Sequence, residues 1–409
     1  MLETESRTNG SAEHRFFSKT MSATPFRPLI IANIYFFFYL AMSLWLPFFN
    51  IYLLDSGYTG AQIGMITGVY QAMLFFVVPI WGVIADRFGN RLTLHIALFG
   101  ALILLWFLSS VPTYTFLMIY MIGFAFIQHP IGTLIDSLAV TYVRSSRRLS
   151  FGHLRVWGSL SWAIGTVIMG RVLLSQDTAI IFRIAPILYG VTWMMVWFYS
   201  KPEGAQRIRI AFNLSELKAI FANRRIVFFL ILLSLLGIGL SPLYIFINLY
   251  YRDIGASNQL IGLGFSLIAL SEVPIFFLGG RFVKRFGAQK VFLFAVFVAV
   301  VRLALFNIIS NPVLAVFMGL AQGLTYSLFW IVVVEIMHDL VPPQWRATAQ
   351  SLIWAFHIGI GITVGNIVIG WLSDFTAMQQ VMLMASVFTL LVFIGIVFYF
   401  RAFFKSPAL

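Results

Sequence analysis

Residues 29–54 read LIIANIYFFFYLAMSLWLPFFNIYLL, an apolar run that contains no charged side chain. About 20 such residues are enough to cross the hydrocarbon core of a bilayer as a helix. The whole chain has the same character: of its 409 residues 60% are hydrophobic and 10% are charged, whereas a soluble domain carries about 25% charged residues. The sequence therefore predicts a membrane protein. It excludes an ordinary soluble enzyme, a nucleic-acid-binding domain and a disulfide scaffold.

Eleven further apolar runs follow, separated by Gly, Pro and charged residues. The twelve predicted spans are 29–54, 61–84, 91–111, 113–143, 152–175, 179–200, 226–250, 258–280, 290–310, 312–340, 347–372 and 377–402. Lipid offers no partner for backbone N–H and C=O groups, so each span is predicted to be a helix. We predict an all-α membrane protein with twelve transmembrane helices in two six-helix bundles. Its predicted parts are a cytoplasmic tail (1–27), an N-terminal bundle (28–200), a cytoplasmic linker (201–225), a C-terminal bundle (226–402) and a second tail (403–409).

The Lys and Arg residues are unevenly distributed between the two ends of these spans. If the N-terminus is cytoplasmic, most of the 27 basic residues lie on the cytoplasmic side. Apart from Arg155 and Arg302, which lie deep within spans, only Arg171, Arg183 and Arg252 fall on the opposite side. Such a bias sets the orientation of membrane proteins. It predicts that both termini are cytoplasmic, and it explains the net charge of +13 without a nucleic-acid partner.

The two predicted bundles resemble each other at a constant offset of 198 residues. The identical pairs are Ser43/Ser241, Asn50/Asn248, Tyr52/Tyr250, Asp55/Asp253, Gly57/Gly255, Ile63/Ile261, Gly64/Gly262, Gly82/Gly280, Arg87/Arg285, Phe88/Phe286 and Gly89/Gly287. A parallel repeat of this kind is typical of transporters whose two halves rock around a site near the middle of the membrane.

The loop between spans two and three carries a family signature. The segment GVIADRFGNR at 82–91 resembles the loop motif of the major facilitator superfamily, and GRFVKRFG at 280–287 is a degraded copy between spans eight and nine. Within that superfamily, residues 151–162 and 343–350 are similar to the starts of spans five and eleven in lactose permease and in permeases related to the phenylpropionate transporter. The resemblance covers residues 28–402. It implies the major facilitator fold and secondary transport.

Four Asp, Glu, Lys or Arg residues fall well inside the spans, away from their ends: Asp136, Arg155, Glu272 and Arg302. They are one acid and one base in each half, so their charges sum to zero. An ionised side chain in the middle of a bilayer costs several kcal/mol, so each is expected to have a partner or a function.

The N-terminal pair has the chemistry of a substrate site. Helical spacing places His129 on the face of Asp136, and Trp162 on the face of Arg155. A carboxylate accepts hydrogen bonds from hydroxyls, a guanidinium donates several, and an aromatic ring packs on a flat ligand. This set suits a polyhydroxylated or carboxylated solute. The resemblance implies the same role, because an acid in span four and an arginine in span five bind the sugar in lactose permease.

Two alternatives stay open for these residues. In the first, Asp136 and Arg155 form a structural ion pair between spans four and five. In the other, His129 is a satisfied hydrogen-bonding group within an apolar span and binds no substrate, as is more common for a lone histidine.

The C-terminal pair suggests proton coupling. A carboxylate near an arginine in the membrane can be poised to exchange a proton, since burial and the positive charge act on its proton affinity in opposite directions. Glu272 and Arg302 are such a pair, and a plain salt bridge is the alternative. Related symporters also use a His/Glu pair in span ten. Here that segment carries Gln322, which cannot titrate. Glu272 or Glu335 is therefore predicted to carry the coupled proton instead.

Span ten also offers a candidate wall of the site. Gln322, Tyr326 and Trp330 recur at helical spacing, as a substrate-binding surface or as core packing. Glu335 lies near the cytoplasmic end of this span, where a gate or a surface pair is the alternative to coupling.

Gating residues are predicted in the signature loop. Asp86, Arg87, Gly89 and Arg91 are expected to hold one state closed through contacts between helices, and a hydrated loop cluster is the alternative. No metal site is expected, because the chain has no cysteine and no His-x-x-x-His spacing.

We expect a secondary active transporter and no enzyme. The leading prediction is a proton-coupled symporter that imports a small polar solute, such as a sugar, a nucleoside or an aromatic acid, by alternating access. A drug or metabolite efflux antiporter and a uniporter are the alternatives. An ATP-driven pump is disfavoured, because no Gly-Lys dipeptide of a phosphate-binding loop occurs. No cofactor is expected beyond the proton gradient. The expected partners are the substrate, protons and the lipid bilayer of a prokaryotic inner membrane, with the protein as a monomer.

Overall fold

A computed structural model describes residues 27–145, 151–199 and 220–404. These residues form twelve long helical segments and no β-strand. The segments are α1 (Pro28–Asp55), α2 (Gly60–Phe88), α3 (Asn90–Ser110), α4 (Tyr114–Val143), α5 (Phe151–Val172), α6 (Thr178–Trp197), α7 (Arg224–Asp253), α8 (Asn258–Phe286), α9 (Ala288–Ile308), α10 (Pro312–Leu340), α11 (Thr348–Ser373) and α12 (Met378–Phe403). The predicted fold class is confirmed.

Eleven of these helices are long and apolar enough to cross a bilayer. The remaining one, α5, is less apolar because it carries His153, Arg155 and two serines among its 22 residues. The predicted span ends agree to within a few residues except at α2 and α8. Both helices continue past the predicted ends at 84 and 280, because their last charged turns remain helical.

Glycines with positive φ end these two helices. Gly89 (φ 90°) follows α2 and Gly287 (φ 84°) follows α8, and Gly57 and Gly255 (both φ 83°) follow α1 and α7. Only glycine adopts this backbone region without strain. The 198-residue repeat is therefore also a repeat of backbone geometry.

The domain boundaries proposed from the sequence remain predictions. Most of the linker 201–225 and of the tails 1–27 and 403–409 lies outside the described residues, although α12 continues to Phe403.

Several helices are irregular in their interior, away from both ends. In α4 the helix is interrupted at His129 and restarts at Pro130, which has no N–H to continue the hydrogen-bond ladder. Wider π turns occupy Pro242–Phe246 in α7, Gly323–Ser327 in α10 and Trp354–Ile362 in α11. Such turns change the direction of the following side chains and are frequent at functional sites.

We call the end of the bundle with the loops after α1, α5, α7 and α11 the outer end, because the charge bias predicts it to be extracellular. One buried apolar cluster contains N-half residues together with C-half residues near this end, such as Phe246, Tyr250 and Ile261. A second cluster has buried members from the C half only, from Ile220 to Phe400. The two halves therefore share an apolar core at the outer end.

Glycines bring the helices of the two halves into backbone contact. A Cβ atom at Gly262 in α8 would lie 2.2 Å from the Thr166 carbonyl oxygen in α5. A Cβ atom at Gly64 in α2 would lie 2.4 Å from the Asn366 carbonyl oxygen in α11. Small residues allow this close approach of membrane helices. The α5–α8 and α2–α11 contacts are thus the two seams between the halves.

Candidate functional site

Asp136 of α4 is held by a tyrosine of α1. The Tyr35 hydroxyl donates a hydrogen bond of 2.6 Å to its carboxylate. The tyrosine is fully buried, while Asp136 is half-buried. The hydrogen bond fixes the carboxylate and leaves its other oxygen atom for a further donor.

Arg155 of α5 lies against a second tyrosine of α1. Its guanidinium is 4.2 Å from the centre of the Tyr39 ring and 5.9 Å from that of Tyr35. Gly158 makes room for this arrangement. A Cβ atom there would lie 2.7 Å from the Tyr39 ring and 2.8 Å from the Arg155 Nη1 atom. The cation–π contact stabilises the guanidinium through its face, so its in-plane N–H groups remain available as hydrogen-bond donors.

Asp136 and Arg155 are close enough to interact electrostatically. Although the structure describes both side chains, they form no direct ion pair. The structural ion pair that the sequence left open as an alternative is therefore absent from this conformation. Tyr35 and Tyr39 contact the two charges instead.

Arg302 of α9 is buried inside the C half, with 1% of its surface exposed. Its Nη1 atom donates to the Gln322 side-chain oxygen and, at 3.2 Å, to the Thr325 hydroxyl. Its guanidinium lies 5.5 Å from the Phe306 ring centre. The Nε and Nη2 atoms have no hydrogen-bond partner among the described residues.

Glu272 of α8 is half-buried and forms no ion pair with Arg302, which the structure also describes. It interacts electrostatically with Arg155 of the other half and with Arg302. Tyr326 of α10 interacts with both Glu272 and Arg155. The structure thus brings the charged groups of the two halves together. We call Tyr35, Tyr39, Asp136, Arg155, Glu272 and Tyr326 the central cluster.

An aromatic wall continues from the central cluster into the C half. Ring centres are 5.5 Å apart for Tyr244 and Tyr326, 6.0 Å for Tyr326 and Trp330, and 4.4 Å for the stacked Trp330 and Trp354. Gln322, predicted to share this wall, is buried and bound to Arg302. The π turn at Gly323–Ser327 begins directly after Gln322 and contains Tyr326, so the two side chains do not follow regular α-helical spacing.

The other predicted binding residues form no contact with Asp136 or Arg155 among the contacts of the described residues. The His129 Nε2 atom is 2.7 Å from the Tyr70 carbonyl oxygen, and its ring lies 4.4 Å from the Tyr70 ring centre. His357 makes a similar 2.9 Å contact with the Leu233 carbonyl oxygen. Trp162 is half-buried on α5. Both histidines therefore have backbone partners.

The predicted gating residues lie at the inner ends of α2 and α3. Asp86, Arg87 and Arg91 are exposed. Arg91 donates a 2.6 Å hydrogen bond to the Trp197 carbonyl oxygen of α6, within the N half. Gly89 supplies the turn. Glu335 is exposed on α10.

Polar contacts between the halves are concentrated at the outer end. Asn50 donates to the Ile245 carbonyl oxygen and Asn248 donates to that of Pro47, each at 2.7 Å. The two bonds are equivalent under the 198-residue repeat, which pairs Asn50 with Asn248 and Pro47 with Ile245. Arg252 pairs with Asp55 at 3.1 Å.

A carboxylate of α11 binds the start of α2. Asp374 accepts hydrogen bonds from the backbone N–H groups of Gly60 (2.5 Å) and Ala61 (3.0 Å). Free N–H groups and the helix dipole make such a helix start favourable for an anion. We call Asn50, Asp55, Asn248, Arg252 and Asp374 the outer gate, which is closed in this structure.

Several of these residues were not predicted from the sequence as part of the site. Tyr35, Tyr39 and Ser43 recur at four-residue intervals on α1, a polar stripe in an apolar helix that could have been noticed. Asp374 lies in a loop where sequence offers no such signal. Among the described residues, no group of three His, Asp or Glu side chains could hold a metal ion.

The profile of the MFS_1 like family matches residues 29–381. The chain belongs to this family. Family members are transporters of the major facilitator type, as the sequence motifs implied.

Curated relatives agree with this assignment. The chain is 29% identical to a probable 3-phenylpropionic acid transporter of Escherichia coli (strain K12), over 74% of this chain and 76% of that protein. It is 24% identical to a maltose permease of Geobacillus stearothermophilus, over 89% and 92% of the two chains. The crystal structure of the nucleoside transporter NupG has the same fold, with a TM-score of 0.83 at 20% identity over 91% of this chain and 99% of that one.

This MFS_1 like protein is therefore a multi-pass membrane protein and a secondary transporter of the major facilitator type, with a small-molecule substrate. That the family and the relatives are transporters supports the prediction that the chain is not an enzyme.

Proposed function

We propose that this protein is a proton-coupled symporter that imports a small polar solute, of the sugar, nucleoside or aromatic-acid class, by alternating access. The observation that carries the proposal is the central cluster, in which Arg155 of the N half, beside Asp136, lies within electrostatic range of Glu272 of the C half, behind a closed outer gate. Charged groups inside the membrane are costly in free energy, so their presence there indicates a function such as substrate or ion transport.

The substrate is bound mainly by the N half. Asp136 and Arg155 are half-buried, and Arg155 keeps donors that no carboxylate occupies. A hydroxyl or carboxylate of the solute would take these donors, and Tyr326 would face it from the C half. His129, Trp162 and Gln322 are secondary binding candidates, since two of them already have partners.

Proton coupling is assigned to Glu272. Arg302 is already bound by Gln322 and Thr325, neither of which titrates. Glu335 is exposed on α10, away from the interacting charges. Glu272 is thus the acid that both arginines reach. Its protonation would remove a negative charge that acts on Arg155 and so change the attraction between that arginine and the substrate.

The remaining features of the proposal follow from the sequence. The proton gradient drives transport without a cofactor. The protein acts as a monomer in a prokaryotic inner membrane with both termini in the cytoplasm, as the distribution of Lys and Arg predicts. Asp86, Arg87, Gly89 and Arg91 belong to the gate on the inner side.

The ligand for the tests comes from a thermal-shift screen of the purified protein. Sugars, nucleosides and aromatic acids are screened against wild type and Arg155→Ala. A compound whose stabilising effect is lost in Arg155→Ala is taken forward as the substrate. A compound that stabilises both proteins equally would remove Arg155 from the site.

Transport of that substrate in proteoliposomes then tests coupling. Wild type should accumulate it, and a protonophore should abolish accumulation. Glu272→Gln should no longer accumulate substrate but should still exchange external for internal substrate. The control Glu335→Gln should keep both activities. Uptake that ignores the protonophore would indicate a uniporter, and uptake driven by an opposite proton gradient would indicate an antiporter.

A further inference from the structure

A groove of about 280 Å³ lies between α7 and α12 on the surface of the C half. Its wall is apolar and mostly aromatic, formed among others by Phe228, Ile231, Gly395, Phe398, Tyr399 and Phe403. Phe228 is 50% exposed and Phe398 is 63% exposed. Because Gly395 has no side chain, space remains between the two helices.

Two arginines lie at the inner mouth of this groove. Arg224 and Arg225 begin α7 and precede Phe228 by four and three residues, so helical spacing puts them on the groove face. Both are exposed. The Arg225 guanidinium lies 6.0 Å from the Phe403 ring centre, and the Tyr399 hydroxyl donates a 3.0 Å hydrogen bond to the Arg225 carbonyl oxygen. These contacts fix Arg225 to the groove, with Arg224 beside it at the start of α7.

We propose that this groove is a binding site for an anionic phospholipid, with an acyl chain along the aromatic wall and the phosphate at Arg224 and Arg225. A soluble anion would leave the apolar wall without a contact, and a neutral lipid would leave the two arginines without a charge partner. The arginines lie at the end predicted to be cytoplasmic, where the anionic leaflet attracts basic residues. The site is independent of the central cluster.

The inner end of α8 offers a matched control. Gly280 is an exposed glycine, and it is followed by the basic residues Arg281 and Arg285. A Cβ atom at Gly280 would meet nothing within 4 Å, and the Arg285 guanidinium lies over its own neighbour Phe286 at 5.3 Å. This region has the charge and the glycine without the aromatic groove.

The test is titration of the full-length protein in neutral detergent with phosphatidylglycerol, phosphatidylcholine or inorganic phosphate, with bound molecules counted by native mass spectrometry. The variants are Gly395→Leu, which fills the groove, and Arg224→Gln/Arg225→Gln. At Gly395 a Cβ atom would meet only Leu232, at an ordinary 3.5 Å, so the leucine should fit without strain. The control variants are Gly280→Leu and Arg281→Gln/Arg285→Gln.

Phosphatidylglycerol should bind wild type more tightly than phosphatidylcholine does. Loss of both arginines should weaken its binding about 25-fold, at about fivefold for each charge, while the controls should stay within about twofold of wild type. Gly395→Leu should also remove the bound lipid. The proposal is overturned if phosphatidylcholine binds equally well, if the α8 variants weaken binding as much, or if Gly395→Leu has no effect. Binding of inorganic phosphate that matches that of the lipid would also overturn it.

Discussion

The two halves are repeats of one another, yet their charged pairs are built differently. In the N half, Asp136 and Arg155 are half-buried and held by tyrosines of α1. In the C half, Arg302 is sealed at 1% exposure and held by the neutral Gln322 and Thr325. The N-half charges remain available to a ligand, whereas the C-half arginine is committed to its own helices.

The acid of the C half completes this difference. Glu272 has no ion-pair partner among the described residues and interacts with the arginines of both halves. A carboxylate between two cations responds to any change at either one. In the function that we propose, substrate binding and proton coupling are therefore divided between the two copies of one repeated scaffold.

The largest expected effect is at the arginine of the N half. Arg155→Lys should weaken substrate binding on the order of 100-fold, because an ammonium cannot stack on Tyr39 while donating in the planar geometry of a guanidinium. The measurement is the dissociation constant for the screened ligand. Arg183→Lys, at an exposed position in α6, is the control and should bind as wild type does. Binding within about threefold of wild type in Arg155→Lys would reverse the assignment of the binding half.

The next effect concerns the space for Arg155. Gly158→Ala should destabilise the protein by about 1–3 kcal/mol, the usual cost of overpacking, since its Cβ atom would meet the Tyr39 ring and the arginine below 3.0 Å. Gly132→Ala on α4 is the matched control, because its Cβ atom would meet Phe38 and Tyr39 at an ordinary 3.9 Å. Thermal unfolding of both variants in detergent measures the difference. Equal midpoints would mean that the Tyr39–Arg155 contact is not tightly packed.

A third difference between the halves lies at the outer gate. Asp374 binds the start of α2, whereas the position 198 residues earlier is the neutral Gln176, and the other seam is joined by Asn258 donating to the Leu173 carbonyl oxygen at 3.1 Å. Asp374→Ala should therefore open the outer end more often. We expect about fivefold faster labelling of a cysteine at Ser159, on the face of Arg155, by an impermeant thiol reagent added outside.

The cysteine-free chain makes that experiment clean, because the introduced thiol is the only one. Asp177→Ala is the control, since Asp177 caps a helix start within its own half by accepting from the Ala179 N–H group at 2.7 Å. It should label at the rate of the parent protein. Equal rates in both variants would show that Asp374 does not hold the gate.

The fold could be predicted from the sequence because the bilayer leaves so few choices. Backbone groups in lipid require helices, so apolar runs and the basic residues between them sufficed for twelve spans. The errors at the ends of α2 and α8 arose because a charged turn such as Asp86–Arg87 can leave the hydrocarbon and stay helical. Repeated residues such as Asn50 and Asn248 also predicted equivalent positions in the two halves.

The site could be predicted only in part. The four ionisable residues stood out because charge is costly in lipid, and three of them lie near one another across the interface. Their partners could not be predicted, since Tyr35 and Tyr39 reach α4 and α5 only through tertiary packing of α1. The π turn after Gln322 also changes the spacing on which the predicted wall of α10 depended.

The smallest effect distinguishes the two tyrosines of α1. Tyr35→Phe removes the hydrogen bond to Asp136 and should weaken substrate binding about threefold to tenfold, the usual range for one hydrogen bond to a charged group that water can partly replace. Tyr39→Phe keeps the ring beneath Arg155 and should change binding by less than about threefold, because cation–π attraction depends on the ring face. If Tyr39→Phe is the more damaging change, the Tyr39 hydroxyl itself contacts the ligand, and the N half binds its substrate through α1 as well as through its charges.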